Sequence, residues 1–382
     1  MLQSLHHPVY HTPRLREMRH LYWAHGLTAF SMGLSLLLIP AYLLTIGYSL
    51  PNVFLFFIIL FAAAIPFSYI SAALASQISP NRLMAVGNVF CGLFFVTLLL
   101  MPVLDIPLWF PPLLKAVDKG LYWPAFHLSF SKSRLHKKAD SQVGAMNAVV
   151  ILTFGIAPAV GGVVASLADI SWVYGLGAVM LAASAVTILT GRDVITHRPF
   201  NPRLLSKRVI PDLLANASFA STFLADTIIW PLVIFLLVKS YAGIGVLGSV
   251  VVLSSAVVAY VVGKRADRRG ERHYVKEGSW VAAITNALRL VAASALHVFG
   301  INLLGGVSQS LLGTSLTARY YKHADREPRL EYIWAMETSH LVGWVVLLSV
   351  GYVLASVLPT GAALSAVLIL AIPLSFGVRL MR

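Results

Sequence analysis

Long apolar runs separated by short polar breaks dominate the chain. Each run has the length of roughly 20 residues that a helix needs to cross the hydrocarbon core of a bilayer. The runs are too long and too continuous for the strands of a membrane barrel. The pattern predicts an all-α integral membrane protein with twelve transmembrane helices at residues 21–46, 51–76, 83–103, 106–130, 142–167, 169–190, 213–238, 242–263, 278–299, 300–320, 332–356 and 360–379.

Composition supports this prediction. Hydrophobic residues make up 58% of the 382 positions and charged residues only 12%, so the apolar surface exceeds what a soluble core could hide. The first run is too long for a signal peptide, and we expect it to remain as a span. Cys91, the single cysteine, cannot form an internal disulfide or a structural zinc site, and we interpret it as a small core residue.

The basic residues predict the topology. With the N-terminus inside, the inner segments hold 25 of the 29 lysines and arginines, and the only basic residue outside is Lys239. Basic residues stay on the cytoplasmic side of membrane proteins, so we expect both termini in the cytoplasm and the protein in the cell (inner) membrane. The same distribution explains the net charge of +14 without a nucleic-acid partner, since no nucleic-acid-binding motif accompanies the basic loops.

An internal repeat divides the chain into two halves. Residues 160–166 match residues 350–356 at an offset of 190, Ala145-Met146 matches Ala335-Met336 at the same offset, and Ile39-Pro40 matches Trp230-Pro231 at 191. We therefore predict a cytoplasmic tail and two pseudo-symmetric six-helix bundles joined by a cytoplasmic linker, at residues 1–20, 21–190, 213–382 and 191–212. Such repeats are a frequent basis of alternating access.

At this point the chain resembles the major facilitator superfamily of secondary transporters. The loop between spans eight and nine resembles the family's cytoplasmic G-x-x-x-D-R-x-G-x-R motif, with the matching residues Gly263, Asp267, Arg268, Gly270 and Arg272. The resemblance implies that this loop latches one conformational state. The equivalent first-half loop departs from the pattern, because Ser76 stands where the repeat would place Asp267.

A second stretch resembles the G-P-x-x-G-G motif of the family's exporting antiporters. Span five carries it as Gly155, Pro158, Gly161 and Gly162, with Ala157 in place of the expected glycine. Small residues at this spacing also allow ordinary close packing of membrane helices. The stretch can therefore be interpreted either as an exporter motif or as ordinary helix packing.

Charged residues inside the spans indicate where the chemistry lies, because an intramembrane charge is costly and tends to be functional. Lys115, Asp118, Lys119 and Tyr122 share one face of span four, where Asp118 can pair with only one lysine and leaves a surplus positive charge. The resemblance implies that spans one, four, seven and ten line a substrate cavity. A structural ion pair facing another helix is the alternative.

Span seven carries Asp226 about halfway along its length. A desolvated membrane acid can cycle between protonated and ionised forms, which makes Asp226 our first candidate for proton coupling. A structural partner of Lys115 or Lys119 is the second interpretation. Glu337 and His340 lie three residues apart in span eleven, as a proton-entry pair or as a polar helix end.

The remaining intramembrane polar groups carry weaker signals. We place Arg289 in the middle of span nine and expect an ion pair with an acid of a neighbouring helix. Tyr122 is assigned to the cavity wall and Phe126 to an interfacial aromatic belt. Uncharged lining candidates are Ser31, Ser35, Ser308 and Gln309.

The leading functional hypothesis is proton-coupled export of an amphipathic or anionic small molecule by a monomeric transporter in contact with membrane lipid. Uptake or facilitated diffusion of a sugar or organic acid is an alternative. A lipid flippase or a membrane enzyme is another, using either His323 and Asp325 or the Glu337 and His340 pair. We expect no enzyme activity, cofactor or metal. No nucleotide-binding loop occurs in the sequence, so transport would use ion gradients.

Overall fold

The computed structural model describes residues 11–133, 153, 155–191, 198–269 and 271–381, and every regular element in these ranges is helical. Three short 3₁₀ segments, Pro202–Leu204, Lys207–Val209 and Val378–Leu380, flank the second half. The main helices are α1 His11–Ser35, α2 Ile39–Thr45, α3 Leu50–Leu74, α4 Pro80–Leu100, α5 Phe110–Ser133, α6 Gly155–Leu167, α7 Ile170–Leu189, α8 Ile210–Leu224, α9 Trp230–Val238, α10 Tyr241–Arg269, α11 Glu271–Arg289, α12 Ala295–Ala324, α13 Arg329–Val357 and α14 Thr360–Gly377.

Nine helical segments within the described ranges are long and apolar enough to cross a membrane. Two of them are composite, since α1 with α2 and α8 with α9 each form one apolar segment. Predicted span four corresponds to α5, in which Lys115, Asp118 and Lys119 interrupt the apolar sequence. Predicted span five begins outside the described residues, as does the Ala145-Met146 match. The chain is a multi-pass membrane protein.

The predicted boundary between spans nine and ten is wrong. Helix α11 ends at Arg289, and α12 begins at Ala295, whereas the apolar pattern predicted helices at 278–299 and 300–320. The connecting residues are themselves apolar, so hydropathy does not mark the break. Ser294 marks it instead, because its side chain accepts a hydrogen bond from the backbone of His297 at the start of α12. Arg289 therefore lies at the end of a helix.

The first span of each half is broken just before a proline. In the first half, α1 ends at Ser35, and α2 starts at Ile39 after three intervening residues, with Pro40 in its first turn. In the second half, a π-turn at Ala225–Ile229 separates α8 from α9, which carries Pro231 in its first turn. Proline lacks an amide hydrogen and crowds the preceding turn, which explains both breaks.

Glycines bring helices of the two halves close together. A Cβ atom on Gly162 of α6 would lie 2.4 Å from the carbonyl oxygen of Tyr241 in α10, and one on Gly245 would lie 2.1 Å from the carbonyl oxygen of Pro158. Within the first half, a Cβ atom on Gly161 of α6 would lie 2.0 Å from the carbonyl oxygen of Leu34 in α1. Only glycine permits these approaches. A second contact between the halves joins α3 to α13.

Candidate substrate cavity

A cavity of about 440 Å³ lies between the two halves. This volume is within the range of small-molecule sites, and most of the lining is apolar or aromatic, as is usual for such sites. Helices of both halves contribute, including α1, α3 and α5 from the first and α8, α12 and α13 from the second. The acidic and basic side chains in the lining are Lys115, Asp118, Lys119, His127, Asp226, Glu337 and His340.

Lys115 and Asp118 form a closed ion pair on α5. The Lys115 ammonium donates to the Asp118 carboxylate, and both residues are buried. The ammonium also lies 3.0 Å from the Met32 sulfur and 3.1 Å from the Cys91 sulfur. The predicted pairing of Asp118 within its own helix is thus made with Lys115, and both charges are neutralised locally.

Lys119, which directly follows Asp118 and lies one turn from Lys115, is the surplus cation. No carboxylate of the described residues lies within ion-pair distance of its ammonium, which instead sits 4.6 Å from the ring centre of Trp123 and 5.0 Å from that of Trp344. The two rings belong to different halves. The indole of Trp344 is fixed by a 2.6 Å hydrogen bond to the carbonyl oxygen of Ala220. Aromatic faces stabilise a cation without cancelling its charge.

Asp226 of the π-turn forms an ion pair with Arg289 of α11. One carboxylate oxygen contacts the Arg289 guanidinium, and the other accepts a 2.6 Å hydrogen bond from the side-chain amide of Gln309. Arg289 also donates to Asn286 and lies over the ring of Trp230. The predicted ion pair of Arg289 with a neighbouring acid is confirmed. The alternative pairing of Asp226 with Lys115 or Lys119 is wrong, because Arg289 of α11 is the cation in contact with the carboxylate.

The π-turn of span seven places Asp226 at this position. A π-turn widens the helix locally, and such turns are frequent at functional sites. Next to it, the Trp230 indole donates to Asn302, whose amide donates in turn to the carbonyl oxygen of Leu247. We did not identify Asn302 from the sequence, although an asparagine within an apolar run was a signal that could have revealed it.

Glu337 of α13 contacts α5 of the first half. Its carboxylate oxygen is 3.3 Å from His127 Nε2 of α5, and His127 Nδ1 is 2.7 Å from the hydroxyl oxygen of Tyr321. These contacts join the two halves. His340 packs edge-on against Trp344, with ring centres 4.5 Å apart, so the two predicted proton-entry residues have different neighbours.

Several predicted lining residues lie elsewhere. Ser31 and Ser35 are fully buried within the first half, where their hydroxyls donate to the carbonyl oxygens of Gly177 and Ser31. Ser308 donates to the carbonyl oxygen of Gly305. None of the three lines the cavity, since short hydroxyl side chains find backbone partners inside their own bundle. Gln309 does line it.

The aromatic residues that end span four point inward. Tyr122 lines the cavity, and its hydroxyl oxygen lies 2.9 Å from His25 Nδ1. Phe126 is only 3% exposed and stacks on the His25 ring at 3.9 Å between ring centres. The interfacial-belt assignment of Phe126 was therefore wrong, because this ring packs inside the first half.

The two sequence motifs lie outside the polar part of the cavity. Gly263, Asp267 and Arg268 belong to the last turns of α10, Arg272 is exposed in the first turn of α11, and Gly270 lies outside the described residues. The latch role stays a prediction. In the second motif, Gly155 approaches Leu253 of α10, Pro158 borders the cavity, and Gly161 and Gly162 occupy the close helix contacts described above.

Comparison with known proteins gives one informative result. No protein-family model matches the chain, and no curated protein matches it in sequence. Among solved structures, the human organic anion transporter MFSD10 (TETRAN), a major facilitator transporter, is similar with a TM-score of 0.68, and the similarity covers 97% of this chain and 100% of that one. At 12% sequence identity this likeness concerns the fold alone. The chain has the major facilitator fold.

Proposed function

We propose that this protein is a secondary transporter of an amphipathic organic anion, and that its two halves move by alternating access. The proposal includes twelve spans with cytoplasmic termini in the cell membrane, a monomeric state and energy from a proton gradient. The fold, in which two helical bundles enclose one central cavity, supports this mechanism.

The position of the Lys119 ammonium is the main support for this proposal. Its ammonium lies in the cavity between the faces of Trp123 and Trp344 and has no ion-pair partner among the described residues. A positive charge in a mostly apolar space is strongly attractive to an anion, since little water screens it. The surrounding rings suit an apolar or aromatic body on the same ligand.

A polar solute is less well supported by the same cavity. Three amide side chains line it, and each has a partner within the protein. Asn216 donates to the carbonyl oxygen of Met336, Asn302 to that of Leu247, and Gln309 to Asp226. A sugar site would need such groups to be available for the ligand.

Proton coupling is assigned first to Glu337 together with His340, and Asp226 follows because Arg289 already pairs with it. All three line the cavity, where a change in protonation would alter the charge that the ligand meets. Export is the proposed direction. This direction rests on the resemblance of residues 155–162 to exporting antiporters. In the structure, glycines of the same stretch pack closely against neighbouring helices.

The test uses the purified protein in liposomes with 2-naphthalenesulfonate as the probe anion. We expect Lys119→Gln to abolish saturable accumulation of the probe, whereas Lys207→Gln, an exposed lysine of the linker, should transport it normally. Normal transport by Lys119→Gln would refute the proposed site. Liposomes sorted by protein orientation would show whether the probe leaves or enters from the cytoplasmic face.

A further inference from the structure

The charges around the cavity balance within the described residues. Two lysines and three carboxylates line it, Lys115, Lys119, Asp118, Asp226 and Glu337, and Arg289 contacts the Asp226 carboxylate from behind the lining as the third cation. When all six groups are ionised, the site is neutral. A bound monoanion would then leave one uncompensated negative charge in an apolar space.

An uncompensated charge of this kind is costly in low dielectric. The cost disappears if one carboxylate takes up a proton from solvent when the anion binds. The negative charge of the ligand then replaces that of the carboxylate, and the site stays neutral. Charge balance therefore links the binding of the anion to the binding of one proton.

Glu337 is the carboxylate best placed to accept this proton. The negative charges of Asp118 and Asp226 are each already compensated by a lysine or arginine in direct contact. Glu337 has only the His127 imidazole at 3.3 Å. The titratable groups that face it from other helices are Lys119 and His127 of α5 and Tyr320 of α12, and His340 lies on its own helix.

An unused hydrogen-bond donor supports a ligand at this place. Tyr320 lines the cavity, is 7% exposed, and its hydroxyl has no hydrogen-bond partner within the described structure. Buried hydroxyls usually have a partner. The group lies near Glu337, where it could donate to an anionic ligand.

We infer that an organic anion and one proton bind together in this cavity, the anion at Lys119 and the proton on the Glu337 carboxylate. The inference rests on the proposed function and adds the sign and stoichiometry of its coupling. Anion and proton then move in the same direction. Uptake follows where the outside is acidic, and the proposed export requires the cytoplasmic side to be the more acidic one.

Two probes of fixed charge test this coupling in the detergent-purified protein. A sulfonate stays ionised at all pH values used, so any pH dependence of 2-naphthalenesulfonate binding comes from the protein. Titration calorimetry in buffers of different ionisation enthalpy should show uptake of one proton per bound anion. Linkage then predicts that the Kd rises about tenfold per pH unit above the titration of Glu337 and is constant below it. A cation of the same shape, trimethyl(2-naphthyl)ammonium, should not bind measurably, because it would leave an uncompensated positive charge beside Lys119.

Glu337→Gln fixes the site in its proton-loaded charge state. In this variant we expect tight anion binding at every pH and no proton uptake. Glu331→Gln is the matched control, because Glu331 is a buried acid of the same helix that lies outside the cavity and accepts a hydrogen bond from the backbone of Asn201. It should bind the anion with the proton uptake of the unmodified protein.

The outcomes separate the inference from the proposed function. Lys119-dependent anion binding without proton uptake would overturn the inference and leave the anion site standing. Proton uptake that persists in Glu337→Gln would overturn the assignment of the acceptor. Absence of Lys119-dependent binding at any pH would overturn both the site and the coupling.

Discussion

The cavity contains two kinds of charged pair, and their difference separates structure from function. Lys115–Asp118 and Asp226–Arg289 are closed, since cation and carboxylate touch. Lys119 and Glu337 also have opposite charges, but one lies between tryptophans and the other beside a histidine. Closed pairs neutralise themselves, and Asp226–Arg289 also joins two helices. The open pair leaves each charge available to an exchangeable partner.

The largest expected effect comes from breaking the pair between helices. Arg289→Met leaves the Asp226 carboxylate buried without its cation, and removing one member of a buried pair typically costs about 3–5 kcal/mol. We expect a strongly lowered melting temperature in detergent. The double variant Asp226→Asn with Arg289→Met should recover much of the loss, because it removes both charges. Equal stability of Arg289→Met and the unmodified protein would contradict a structural role for this pair.

A comparison of two neighbouring lysines sharpens the distinction. Lys115→Met should destabilise the protein by about 3 kcal/mol, since it leaves Asp118 unpaired. Lys119→Met should change stability by less than about 1 kcal/mol, because no buried carboxylate loses a direct partner, yet it should lose anion binding. Thermal unfolding and probe binding measured side by side provide the check. The same loss of stability in both variants would show that Lys119 is structural as well.

The smallest expected effect concerns the aromatic wall. Trp344→Leu removes one ring beside Lys119, and aromatic contacts of this kind are worth roughly 1 kcal/mol, so naphthalenesulfonate affinity should fall about fivefold. Trp172→Leu is the control, since Trp172 of α7 is 69% exposed on the outer surface of the bundle and should not affect binding. A Trp344 variant with unchanged affinity would place the ligand elsewhere in the cavity.

Local sequence patterns predicted much of this arrangement but not its partners. Helical spacing placed Lys115, Asp118 and Lys119 on one face of α5, because that relation depends only on residues within one helix. The choice of Lys115 as the partner of Asp118 depended on Met32 and Cys91, which lie on other helices. The same limit explains Ser31 and Ser35, whose direction depends on how α1 packs within its bundle.

The α11 boundary shows where hydropathy fails. Residues 290–293 are apolar although they form a connection, so no polar break marks the end of the helix. Only the Ser294 cap shows where the next helix begins. Because of this boundary error, the sequence analysis placed Arg289 in the middle of a helix and did not identify Asp226 as its partner. A one-dimensional pattern reports burial in lipid or protein, but it does not report which helix a residue faces.

The amino-acid sequence by itself determined the helical membrane architecture, the repeat with prolines at corresponding places and the presence of unusual intramembrane charges, because these depend on composition and short-range spacing. Only the tertiary structure decided which charges close into pairs and which stay open. Electrostatic energy depends on distances of a few ångströms between side chains of different helices. Those distances exist only once the two bundles are packed around the cavity.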